Sequence, residues 1–180
     1  AVSTNGKLRV ATIWLDGCSG CHMSFLDIDE NIARIANLVD IVYGPLVDFK
    51  EIPENIDVAL IEGAVSNEED REHALELRAK SKLVVAFGDC AVTGNVPSMR
   101  NWCGATAVLD RAYNENVDEQ PGVPYQVVPG LLPTVLPLKE VIKVDFHLPG
   151  CPPSADLILE TLKQLCAGRT PQLTSRFCFG

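Results

Sequence analysis

The sequence predicts an α/β protein, a doubly wound parallel sheet in a single domain, and three observations carry that prediction. Short apolar runs recur at 8–15, 40–43, 58–61, 83–87 and 141–146, and runs that are apolar without alternation mark strands covered on both faces. Helical patterns alternate with them, which is the order of a parallel α/β sheet. Most of the runs stop at a turn signal: Asp16-Gly17, Gly44-Pro45, Glu62-Gly63 and Gly88-Asp89. With 180 residues, 47% hydrophobic and 22% charged, the composition is that of a globular domain. A chain of that size buries about two-thirds of its unfolded surface. One domain over 1–180 is predicted.

The first strand, LRVATIWL at 8–15, is dense in β-branched and aromatic residues. Phe25, Ile28, Ile32, Ile35 and Val39 then follow at three- and four-residue spacing, with Asp27, Asp29 and Glu30 early, and predict one amphipathic helix. Short strands at 40–43 and 58–61 come next. Ser66 or Asn67 caps a helix over EEDREHALELRAK, whose acids precede its bases as the helix dipole prefers. A fourth strand at 83–87 leads into a long irregular insertion, where Pro121, Pro124, Pro129, Pro133 and Pro137 bar a long helix or a central strand. The part at about 121–138 is nevertheless apolar, so it must pack on its own domain or on another chain. A last strand at 141–146 and a helix at 154–166, ending before Gly168, complete the pattern.

Fifteen Lys and Arg against 24 Asp and Glu leave a formal charge of −9, a field that repels phosphate backbones and makes nucleic acid an unsuitable partner. No run approaches the roughly 18 apolar residues that cross a bilayer, so no membrane is expected. Seven cysteines are an odd number, and no basic segment followed by an apolar one opens the chain. A cytoplasmic location follows as the expectation.

Four of the cysteines carry the chemistry. Cys18 and Cys21 form a CxxC after the first strand, Cys90 follows the fourth, and Cys151 follows the last. The carboxyl ends of strands in an open parallel sheet make one crevice, so the topology brings these thiols together. Gly17 and Gly20 free the backbone around the CxxC, and Gly150 with Pro152-Pro153 shapes the turn at Cys151. Four soft thiolates select zinc or an iron-sulfur cluster. One CxxC plus two lone cysteines on separate loops suits a 4Fe-4S cluster better than zinc knuckles, and a proline directly after a ligating cysteine is a ferredoxin feature. Cys103 reads as a small apolar filler with a reserve-ligand role as the alternative, and Cys166 and Cys178 read as core or tail residues. His22 is expected to be packed or solvent-linked, with contact to a cluster or donation to its sulfur as the alternative, His73 solvated, and His147 open to a place behind the ligands. Glu62, at the end of the third strand, is read as a hydrogen-bond acceptor for the loops, with a proton relay as the sharper option.

Taken together, TIWLDGCSGCHMSFLD, LIEGAV, VAFGDCAVTGN and LPGCPPSADLILETL resemble the small, electron-transfer subunit of nickel-iron hydrogenases, most closely its short form in soluble NAD-reducing hydrogenases. The resemblance runs along most of the chain with its motifs in order. It implies a flavodoxin-like domain that holds one proximal 4Fe-4S cluster through Cys18, Cys21, Cys90 and Cys151. It implies a nickel-iron large subunit and a cluster-bearing diaphorase as partners, with electrons relayed between them. No nickel is expected on this chain, since nothing in it looks like the paired CxxC motifs of the large subunit. The related quinone-reductase subunit has adjacent cysteines where this chain has CSGC. Two other readings compete. One is a flavin-binding carrier, although GCSGC stands where a phosphate loop rich in Ser, Thr and Gly is needed. The other is a structural zinc scaffold.

Overall fold

The computed structural model describes residues 6–173. Five parallel strands form the central sheet: β1 (Leu8–Trp14), β2 (Val39–Tyr43), β3 (Ile56–Glu62), β5 (Ser81–Phe87) and β7 (Phe146–Leu148), in the order β2-β1-β3-β5-β7. Every residue of β3 is buried, its apolar run Val58–Ile61 filling both faces and its two carboxylates, Asp57 and Glu62, standing toward the two ends of the strand. One face carries a core of Ala11, Ile13, Ile61, Val84 and Ala86 under Ala74, Leu77 and Leu138. The other carries Val10, Val58, Leu60, Val85 and Phe87 under Ile28, Ile35, Ile158 and Leu162. Full burial of each such side chain contributes about 1.5–3 kcal/mol, and the two layers together enforce a doubly wound sheet.

The sheet is wound outward from β1. The chain leaves β1 toward β2 on one side and returns to β3 on the other, so the topological switch point lies between β1 and β3. Helix α3 (Glu68–Lys80) is capped by Asn67, whose side chain accepts the Asp70 N–H at 2.9 Å, while the Asp70 carboxylate accepts Ser66 N–H, Ser66 Oγ–H and Asn67 N–H in return. The last helix, α6 (Ala155–Cys166), starts at the Ser154 cap.

The structure departs from the sequence pattern in four places. The single helix expected through Phe25 and Val39 is two short ones, α1 (Gly20–Leu26) and α2 (Asn31–Ile35), broken where Asp29 takes a left-handed φ of 54°. Val39 starts β2 instead. The final strand is not at 141–146 but at Phe146–Leu148, because Leu138–Glu140 forms a 3-10 turn that seats Leu138 and Ile142 in the core. The insertion is not irregular throughout: it holds α4 (Asp89–Thr93), a 3-10 helix at Val96–Trp102, and α5 (Ala105–Asp110) extended by a π-helical turn. Within the proline-rich part, β6 (Leu131–Leu136) pairs antiparallel with β4 (Val65–Asn67) in a separate two-stranded sheet. Pro133 is compatible with β6 because both strands of a two-stranded sheet are edges.

Candidate metal centre

All four predicted cysteines leave the carboxyl end of the sheet. Cys18 and Cys21 lie on the turn into α1 after β1, Cys90 in the first turn of α4 after β5, and Cys151 in the loop after β7. Cys21 is buried, Cys90 half-buried, and Cys18 and Cys151 are exposed. Burial pushes the Cys21 thiol far up, and the charges of Glu62, Cys90, Cys18 and Cys151 push it further. Cys90 is pushed up to about 11, first by burial and then by Cys151, Cys18 and Glu62, against a hydrogen bond from the Val96 N–H. Burial first, and then thiols from other strand ends, disfavour the ionised forms of Cys21 and Cys90, which suits one shared site for a cationic centre.

The loops are tied to each other at the backbone. Asp89 N–H donates to Gly150 O at 2.9 Å, and Gly150 N–H donates back to Asp89 Oδ1 at 2.8 Å, joining the Cys90 and Cys151 loops. Ser24 Oγ–H donates to Pro153 O at 2.6 Å and joins α1 to the Cys151 loop. Gly88 packs directly on the Cys21 sulfur: a Cβ there would lie 2.1 Å from Cys21 Sγ, and its φ of +85° disfavours any side chain. The left-handed residue of the CxxC turn is Ser19, at φ 64°, rather than Gly17 or Gly20.

Beneath the CxxC lies a buried polar cluster. Glu62, 2% exposed at the end of β3, accepts the N–H groups of Cys21 at 3.4 Å and His22 at 3.1 Å, and the His22 Nδ1–H. It satisfies orphan donors at the start of α1 and so fixes the turn that presents both cysteines. His22 is packed as expected, with Nε2 2.5 Å from Thr12 Oγ1 and its ring edge-on to Trp14 and Phe87. The long-range pairing of residues 22 and 62 was not legible in the sequence.

The remaining candidates fall elsewhere. Cys103 is exposed, which corrects its reading as an apolar filler. Cys166, the last residue of α6, packs against the core, and Cys178 lies outside the described residues. His73 is half-buried and lines a cavity of about 320 Å³ with Trp14, Tyr43 and Phe49, rather than standing free in solvent. His147 sits on β7 opposite Ala86. One residue that no sequence signal pointed to is Asn95, whose Nδ2 donates to Cys151 Sγ at 3.4 Å.

Soft sulfur donors, the glycine cradle at Cys21 and the amide donors at Cys90 and Cys151 fit an iron-sulfur cluster. Among the described residues no three His, Cys, Asp or Glu groups are gathered closely enough for a single metal ion.

Residues 18–165 match the family model described as NADH ubiquinone oxidoreductase, 20 Kd subunit. The delta subunit of the NAD-reducing hydrogenase HoxS of Cupriavidus necator is 39% identical over 97% of this chain and 86% of that subunit. The chain belongs to this family, on its hydrogenase side. A subunit of the F420-non-reducing hydrogenase of Methanothermobacter thermautotrophicus is 43% identical over 93% of this chain, which spans 56% of that relative's length. A crystal structure of an NAD+-reducing [NiFe]-hydrogenase in the H2-reduced state contains a chain that matches with a TM-score of 0.91 and 39% identity, over 96% of this chain and 99% of that one. The hydrogenase small-subunit fold expected from the sequence motifs is therefore the one adopted. Among the described residues, no helix of this family member is long and apolar enough to cross a membrane.

Proposed function

We propose that this hydrogenase subunit is a one-cluster electron relay. Cys18, Cys21, Cys90 and Cys151 would hold a single 4Fe-4S cluster between the nickel-iron site of a large subunit and a cluster-bearing diaphorase that reduces NAD, in the cytoplasm. When bound, the cluster supplies one-electron storage at a potential set by its surroundings. The observation that carries this reading is the placement of four cysteines at the carboxyl ends of three strands, with burial first and the neighbouring thiols second raising the proton affinity of Cys21 and Cys90. Cys21 and Cys90 keep their protons at neutral pH until metal displaces them, so assembly releases protons. The chain itself breaks no substrate bond. Its residues bind the cluster, orient its ligands through Glu62 and Asp89, and exclude water on the Cys21 side.

Partner docking is supported by exposed apolar residues beside the site. Val96, Met99 and Trp102, on the helix that follows the Cys90 turn, are 62%, 67% and 93% exposed. In the insertion, Val135 and Leu138 are buried while Tyr125 and Val127 are presented to solvent. This division lets one part of the insertion anchor to its own domain and leaves the other for a second chain.

Anaerobic purification with a large subunit should give about four iron and four sulfide per chain, a broad brown absorption, and hydrogen-dependent reduction of a small dye. NAD reduction should need the diaphorase in addition. About eight irons attributable to this chain, NAD reduction without a diaphorase, or a yellow two-banded flavin spectrum would each overturn the relay model.

A further inference from the structure

We propose that Asn95 is a positioning residue that raises the reduction potential of the cluster through the Cys151 sulfur. The proposal rests on the cluster reading above. Asn95 holds φ 32° and ψ −127°, a backbone conformation that costs a non-glycine residue about 1–3 kcal/mol. Glycine adopts such angles without that cost, so the presence of a side chain here calls for a use. The use is visible: Nδ2 donates to Cys151 Sγ at 3.4 Å.

The strained turn is held closed by Ser98, whose Oγ–H and N–H donate to Asn95 O at 2.7 and 3.2 Å. It also aims the next amide, Val96 N–H, at the Cys90 sulfur. Two consecutive residues therefore donate to two cysteines on different loops. A donor to a ligating sulfur stabilises the more negative, reduced cluster and raises its potential. On the opposite side the buried Glu62 carboxylate faces Cys21 and Cys90 and works the other way. Asn95 acts as a counterweight to that charge, and the strain is retained because a glycine would lose the donor.

The test compares the native complex of this chain and its large subunit with the Asn95→Gly and Asn95→Asp complexes, by iron and sulfide analysis and by EPR-monitored redox titration. Asn95→Gly relieves the strain and removes the donor; Asn95→Asp keeps the shape and replaces the donor with a charge. Both should keep a full cluster. At the native midpoint potential the reduced-to-oxidised ratio should fall about three- to tenfold in Asn95→Gly, the size expected for one ordinary hydrogen bond, and further in Asn95→Asp. An unchanged midpoint in Asn95→Gly with full iron would overturn the proposal and leave Asn95 a turn residue. Loss of iron in both variants would overturn it too, since the turn would then serve assembly. Absence of iron and sulfide from the native complex would instead defeat the cluster reading, and this inference with it.

Discussion

The two ends of the sheet use carboxylates in opposite ways. At the amino end, Asp57 accepts the Arg9 N–H at 2.9 Å and the Lys82 ammonium at 2.5 Å, and Asp145 accepts the Val84 N–H at 2.9 Å and the Arg78 guanidinium at 2.5 Å. Burial works against ionising these carboxyls, but hydrogen bonds from Lys82 and Arg9, and from Arg78 and Val84, outweigh it and hold both below the usual range. Each stitches neighbouring strands with a cation beside it. At the carboxyl end, Glu62 is held by backbone N–H groups and His22, and its charge bears on thiols that are themselves pushed up. One end is arranged for stability. The other gathers a buried carboxylate and thiols whose ionisation it disfavours, an arrangement suited to a cationic centre.

The sharpest way to break that contrast is Gly88→Ala. A methyl group at 2.1 Å from Cys21 Sγ, on a residue with φ +85°, should cost about 3 kcal/mol or more and abolish cluster retention, read by iron content and thermal unfolding. Cys90→Ser should come next: cluster loss or conversion with the fold largely kept, because a harder oxygen holds iron less well. Cys103→Ser and Cys166→Ser should leave iron and spectrum unchanged. Full iron in Cys90→Ser would remove that ligand from the site and return Cys103 to candidacy.

The carboxyl end was largely legible in the sequence because its parts are local signals: a CxxC, a GDC and a GCPP, each at the end of an apolar run. The connections that finish the site were not. Glu62 reaches residues 40 positions away, and Asn95 reaches Cys151 across 56. No spacing rule encodes such contacts; they exist once the strand order is set. The same limit explains the fold's hidden parts. Val65–Asn67 is too short to read as a strand, and β6 carries a proline that argues against one. The break at Asp29 escaped because the apolar spacing runs on through it, while the backbone turns at a residue that tolerates a left-handed φ.

At the amino end a milder effect is expected. Asp145→Asn removes the charge facing Arg78 but leaves that guanidinium the carbonyls of Lys143, Ser81 and Lys82. The loss should be about 1 kcal/mol in urea unfolding, with iron content and midpoint potential unchanged. A shift in potential would mean that the two ends are coupled and the contrast is false.

The acid dependence tests the same pairs together, and its sign follows from them. Asp57 and Asp145 ionise more readily folded than unfolded, so the native state binds fewer protons there. The stability they contribute is fully present above the unfolded value of about 3.9 and is lost as the pH falls through the depressed folded values. Asp70 runs the other way. Burial raises its pKa against its hydrogen bonds from Ser66 and Asn67, so its contribution is present at low pH and lost as the pH rises through that raised value. Urea midpoints of the wild type and Asp57→Asn/Asp145→Asn, taken from pH 7 down to pH 3, should therefore show a gap of about 1–2 kcal/mol that narrows as the pH drops below about 4. Added salt at pH 7 should shrink the same gap, since Lys82 is half exposed and its pairing is screened. A gap that stayed constant with pH would show that these carboxylates act by shape and hydrogen bonding alone, and the electrostatic contrast between the two ends of the sheet would then rest on the thiol end by itself.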